Sequence, residues 1–194
     1  MASTSTAQRW RALAEDLGRR VDGVPPGRWD DPAPCEGWVA RDVVRHLVEW
    51  MPSLHLPAVD LPVPAGPSVD DDPAGAWKAT DAAIRALLDD PATARRSTST
   101  RAGEMPLEDL VAMTGLMDLL VHTWDLARAT GQDDRLDPAL CADLLAGMEP
   151  IDELLRQSGQ YGPKVAVPDD ADVQAKMLGF IGRDPAWTPT GSMT

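Results

Sequence analysis

Three polar residues interrupt an otherwise apolar stretch, Met105–Gly131 (MPLEDLVAMTGLMDLLVHTWDLARATG): Asp118, His122 and Asp125. Residues four apart on a helix are neighbours, so Asp118 and His122 project together into the interior. A buried carboxylate beside a buried imidazole costs free energy unless each is paired, hydrogen-bonded or bound to metal. Carboxylate-x-x-x-His spacing can set two metal ligands on one helical face. A core Asp–His hydrogen bond satisfies the same spacing and is its commoner use.

Other residues could also do chemistry. His46 lies at the edge of an apolar helical face, where a lone His is usually a boundary residue. His55 falls in a Pro-rich stretch, and its expected state is solvent-exposed. Cys35 precedes a helix, where a thiol can have a lowered pKa; a buried structural thiol is the favoured reading. Trp38, Trp50 and Trp124 could wall a pocket, and core packing explains them as well. Arg41 and Arg45 could attract an anion, although such residues more often form a solvated helix face. There is no G-x-S-x-G, Walker loop or dinucleotide fingerprint.

The elements that must position these residues read as helices. In the central stretch Pro106 suits a first helical position and Gly131 a C′ position. As one helix, residues 106–130 span about 37 Å. Leu107, Leu110, Val111, Thr114, Met117 and Val121 form a core stripe, which Leu116, Leu119, Leu120 and Leu126 widen. Upstream, Ser5–Gln8 fits a capping box for a helix over 5–24, stopped by Pro25-Pro26. The segment 27–39 is a loop rich in Pro, Asp and Trp. A second helix is expected over 40–51, ending before Pro52, and a third over 73–89. The connection 52–70 is irregular, and the polar run 92–104 reads as a loop or irregular strand, with no convincing hairpin. Asp137-Pro138 starts a fifth helix that Pro150 kinks or breaks. Asp169 or Asp170 is expected to cap a short sixth, and the chain closes in a loose tail. The expected fold is all-α: one domain over 1–194, with a four-helix bundle in 1–131 and a helical extension in 137–187.

Composition narrows the function classes. Hydrophobic residues make 43% and charged residues 25% of 194, ordinary for a globular protein. The net charge of −13 lacks the footprint of nucleic-acid binding and offers no polybasic patch to anionic lipid. The N-terminus has no apolar signal core, and Met113–Ala129 carries too many polar residues for a plain membrane span. Two cysteines make no disulfide framework. A cytoplasmic protein without nucleic-acid or membrane partners is expected. Seven Trp against one Phe and one Tyr, with abundant Ala, Arg, Asp and Pro, points to a GC-rich bacterial genome.

Two stretches, PCEGWVARDVVRHLVEW (Pro34–Trp50) and DLLVHTWDLARATG (Asp118–Gly131), together resemble the DinB-like superfamily of metal-binding four-helix bundles. They look closest to the N-terminal domain of mycothiol-dependent maleylpyruvate isomerases and their small actinobacterial relatives. The ending MLGFIGRDPAW (Met177–Trp187) also resembles a subgroup of these relatives. The resemblance implies a metal held by His46, Asp118 and His122. Asp118 departs from the usual Glu, and Val39 stands where relatives often carry a capping Thr. Two imidazoles and a carboxylate suit zinc, with nickel or another divalent ion as the alternative. Asp125 would then hold a ring N–H of His122, or else act as a cap or ion-pair partner of Arg128. Relatives that isomerise maleylpyruvate carry a second domain for which 194 residues leave no room, an expectation against isomerase activity itself.

The resemblance implies a divalent-metal-dependent enzyme that uses a low-molecular-weight thiol such as mycothiol. It would catalyse thiol transfer to an electrophile or thiol-assisted isomerisation. The alternatives are a non-catalytic metal- or small-ligand-binding helical domain, and a metal-free helical protein used for dimerisation or as a partner. A homodimer is compatible with all three.

Overall fold

The computed structural model describes residues 4–100, 103–157, 159 and 161–189. Helix α1 (Thr6–Asp22) starts at the expected capping box: Ser5 accepts from the Gln8 N–H, and the Gln8 side chain accepts from the Ser5 N–H. Trp10, Leu13, Leu17 and Val21 make its buried face. Helix α2 (Ala40–His55) buries Val43, Val44, Leu47 and Met51. It does not stop before Pro52, as expected, but runs through it. Its N-terminus has no side-chain cap at Val39; instead the Asp42 carboxylate accepts from the Val39 N–H at 3.1 Å. Helix α3 (Pro73–Asp89) has the expected bounds and its Asp72 cap. A single turn, α4 (Pro91–Ala94), follows.

The next segment corrects the expectation of no hairpin. Strands β1 (Ser97–Thr100) and β2 (Gly103–Pro106) pair antiparallel as a hairpin, although residues 101 and 102 lie outside the described set. Sequence alternation missed it because the strands are mostly polar. Besides the ladder, Thr98 Oγ1 donates to the Met105 carbonyl at 2.8 Å. The hairpin leads into α5 (Leu107–Thr130), capped by Gly131 in the left-handed region.

Helices α1, α5, α2 and α3 form the bundle, each packing chiefly on two neighbours in that cyclic order. Close approach has specific causes. Gly115 of α5 lies under Trp10, leaving no room for a larger residue. The Trp10 indole crosses to α3 and donates to Asp81 at 2.9 Å. By length and composition α5 could cross a membrane, but 72% of its most apolar window is buried within the protein. It is the core helix.

The C-terminal part packs outside. Helix α6 (Pro138–Met148) gives way at Pro150 to a 3-10 turn and the short α7 (Asp152–Gln157), as the proline demands. Helix α8 (Val173–Ile181) packs on α6. Its cap is Asp172, not the expected Asp169 or Asp170. Those two instead lie in a turn, where the Ala171 N–H bonds the Pro168 carbonyl. The tail past residue 189 lies outside the described residues. The all-α expectation holds, with the hairpin as the only sheet among the described residues.

Candidate metal centre

The site is built where α2 faces α5. Three turns of apolar residues seat α2 on the bundle, which leaves His46 on the flank turned toward α5. His46 Nε2 lies 3.1 Å from Asp118 Oδ2. The imidazoles of His46 and His122 meet edge to face, with ring centroids 4.9 Å apart. One ligating atom from each of His46, Asp118 and His122 lies within 4.8 Å of the others. The structure thus brings together the three residues singled out in the sequence. His46 and Asp118 are partly exposed and His122 is nearly buried.

Asp125 decides how His122 is presented. Its Oδ2 lies 2.8 Å from His122 Nδ1, and the residue is fully buried. The ion pair with Arg128 does not form. Arg128 instead pairs with Asp134 and stacks over Trp124. Asp125's second partner is Arg183, whose Nε and Nη2 donate to Oδ1 at 2.9 Å and to Oδ2 at 3.0 Å. Burial works to raise the Asp125 pKa, but the bonds from His122 and Arg183 outweigh it and hold the carboxyl below its usual range. An ionised Asp125 accepts the His122 Nδ1–H, which leaves Nε2 as the nitrogen free to coordinate.

A second constellation, Cys35 with His122 and Asp125, also has its ligating atoms within 4.8 Å. It suits a cation poorly. Asp125 is already shared by three donors, His122, Arg183 and the Cys35 thiol itself at 3.4 Å, and the Arg183 guanidinium lies 3.0 Å from Cys35 Sγ. Burial, then the Asp125 charge, push the Cys35 thiol well up, so it stays protonated and weakly nucleophilic. The residues therefore fit a metal at His46, Asp118 and His122 better: two imidazoles, one carboxylate, and an imidazole fixed from behind.

A folded-back loop closes the site. Trp38 N–H bonds the Cys35 carbonyl at 3.0 Å, Ala33 N–H bonds the Trp38 carbonyl at 2.9 Å, and Gly37 takes φ 76°. The turn lays Trp38 against both imidazoles, 5.2 Å from His46 and 5.9 Å from His122. Trp50 also lies against His46, with ring centroids 5.9 Å apart. Trp38 and Trp50 therefore wall the site, while Trp124 is core. Arg41 and Arg45 are engaged by Asp30, the Val69 and Asp70 carbonyls, and Asp42 and Asp70.

His55 reverses its expectation: it is fully buried, with Nε2 2.9 Å from Thr114 Oγ1. The helix carries on past Pro52 and turns His55 inward, outside the three-residue cluster. Tyr161, a residue the sequence did not single out, donates to Met117 Sδ at 3.0 Å. Burial, then the Asp118 charge, push its phenol up to about 12, so it stays a proton donor. Arg183 was missed as well, because no local spacing ties it to Asp125.

A helical bundle with a polar, aromatic-walled centre between two helices is the class that fold and site define. Residues 10–56 match the family described as mycothiol maleylpyruvate isomerase N-terminal domain, the family resembled by the two sequence motifs. The matched stretch contains α1 from Trp10 onward, the folded-back loop and α2 with His46, and stops short of α5. Two uncharacterized proteins from strains of Mycobacterium tuberculosis are each 27% identical over 155 residues, 78% of this chain and 83% of theirs. No solved structure matches.

Proposed function

We propose that the chain is a divalent-metal-dependent enzyme that activates a low-molecular-weight thiol for transfer to an electrophile or for thiol-assisted isomerisation, with mycothiol the thiol favoured by the family match. The observation that carries the reading is the convergence of His46, Asp118 and His122 with His122 Nδ1 tied to Asp125. A zinc ion held there would leave a position open to a thiol and favour its thiolate. Asp125 orients His122. Trp38 and Trp50 limit water beside the imidazoles. Tyr161, protonated, is a hydrogen-bond donor near Asp118. Cys35 is held as a thiol, so the nucleophile is the cosubstrate's sulfur and not the protein's.

One observation favours the metal-free alternative. The His46–Asp118 contact at 3.1 Å already gives both groups a partner. The two readings separate on metal content and thiol conjugation, measured on protein purified without a His tag. The enzyme reading expects bound divalent metal and mycothiol consumption with an electrophile such as chlorodinitrobenzene, and expects His122→Ala to lose both together. Full conjugation activity in metal-free His122→Ala protein would eliminate it. Metal retention without thiol consumption would favour the binding domain.

A further inference from the structure

We infer that Arg183 is a positioning residue for His122, so that metal affinity and the seating of the C-terminal segment form one coupled property; this rests on the metal reading of the site. Arg183 lies 58 residues beyond Asp125, outside the bundle, in the Met177–Trp187 motif. Local chemistry aims it inward. Helix α8 closes on Gly182 at φ 91°, the Gly182 N–H bonds the Gly179 carbonyl at 3.2 Å, and the Arg183 N–H bonds the Leu178 carbonyl at 2.9 Å. A Cβ at Gly182 would also meet the Pro163 carbonyl oxygen at 2.9 Å. Glycine is therefore required twice over, by conformation and by space.

The turn delivers the guanidinium to Asp125 as a two-pronged fork, Nε to Oδ1 and Nη2 to Oδ2. The same Oδ2 faces His122 Nδ1 at 2.8 Å. One fully buried carboxylate is thus held from one side by the C-terminal segment and itself holds the imidazole on the other. Without Arg183, Oδ1 of this buried carboxylate would lose its hydrogen-bond donor, and only the long Cys35 thiol bond to Oδ2, at 3.4 Å, would remain to keep the carboxylate plane facing Nδ1. Lysine would keep the charge but not the fork. By reciprocity, an ion that fixes His122 also fixes Asp125 and through it Arg183. The segment has a separate tie, Arg128 Nη2 to the Pro185 carbonyl at 2.5 Å, so loss of Arg183 need not free it completely.

The test uses the full chain and zinc itself. Zinc affinity is measured by competition with a chromophoric chelator for the wild type, Arg183→Gln, Arg183→Lys, Asp125→Asn and the Arg183→Gln/Asp125→Asn double variant. Outer partners of a metal-binding His are typically worth about 10–100-fold in affinity. Arg183→Gln should weaken zinc by about that factor and Arg183→Lys by less. The double variant should be little worse than the poorer single variant, because both act through one carboxylate. In the wild type, zinc should slow amide hydrogen exchange in residues 183–187, and this protection should shrink in Arg183→Gln. A folded Arg183→Gln protein with wild-type zinc affinity would overturn the inference, as would losses that simply add. Should Arg183→Gln not fold, Arg183→Lys carries the same comparison. Wild-type protein that binds no zinc would sink the metal reading instead. The nitrogen-15 spectrum of the His122 imidazole in metal-free protein then decides the positioning role. A single Nδ1–H form that becomes mixed in Arg183→Gln supports it, and an unchanged spectrum overturns it.

Discussion

At the scale of single residues, His55 shows how burial sets chemistry. Its ring lies 5.9 Å from Trp50 and is fully enclosed. Burial lowers its pKa from 6.5 to about 4, with the Met51 backbone working the other way. The charged form is therefore penalised in the folded state. The sign follows directly: the folded state keeps its full advantage above the unfolded pKa, near 6.5. That advantage is lost as pH falls through the window down to about 4. At about 1.4 kcal/mol per unit, the loss is on the order of 3 kcal/mol. His55→Phe removes the titration while keeping a flat ring, and Thr114 retains its bond to the Leu110 carbonyl. Urea unfolding at pH 7 and pH 4.5 checks the prediction. Wild-type stability should fall more than that of His55→Phe, because carboxylate titrations are common to both. Equal falls would show that His55 is not the source.

At the scale of elements, the helices were legible where apolar spacing and caps agreed. The Ser5 box, the Asp72-Pro73 start, the Pro150 break and the Gly131 stop all stand as expected. Asp118, His46 and His122 could be named because the polar break in an apolar stripe and the family motifs coincide. What stayed hidden depends on tertiary context. Pro52 ends a helix by local rules, yet α2 passes through it and so buries His55. The hairpin strands have no apolar alternation to read. Arg183 reaches Asp125 only because α8 docks as it does. Gly115 makes the same point in reverse, since a glycine inside a helix looks like a weakness. Replacing it with Ala improves intrinsic helix propensity by about 1 kcal/mol. The added Cβ, however, would lie 2.9 Å from the Trp10 ring, in the seam between α1 and α5. Trp10 is fully buried and its indole is fixed on Asp81, so it has little freedom to yield. Overpacking of this kind typically costs about 1–3 kcal/mol. Gly115→Ala should therefore lower the denaturation midpoint, whereas propensity alone would raise it. A raised midpoint would show that the seam is looser than described.

At the scale of the whole molecule, the candidate ligands cross-link the bundle. His46 belongs to α2, and Asp118, 72 residues further on, belongs to α5 together with His122. The unfolded chain keeps only the local Asp118–His122 pair, so a metal that needs all three groups binds the folded state far better. Mass action then stabilises the fold by about 2.7 kcal/mol at a free metal concentration 100 times the dissociation constant. For a chain of this size that corresponds to a rise of roughly 5–10 °C in melting temperature. The net charge of −13 will also gather cations loosely over the surface, which has to be separated from site binding. Two comparisons separate them. Magnesium shares zinc's charge but prefers oxygen ligands to imidazole, so it should give little of the shift. His46→Ala and His122→Ala each remove one ligand, from different helices, and leave the net charge formally unchanged, so zinc should no longer raise their melting temperatures. Calorimetry of the wild type and both variants, with zinc or magnesium at matched concentration and ionic strength, reads this out. An equal zinc shift in wild type and His122→Ala would place the bound metal on the acidic surface. A shift lost in His122→Ala but kept in His46→Ala would remove His46 from the centre and leave the metal on His122 with Asp118, or with Cys35 and Asp125.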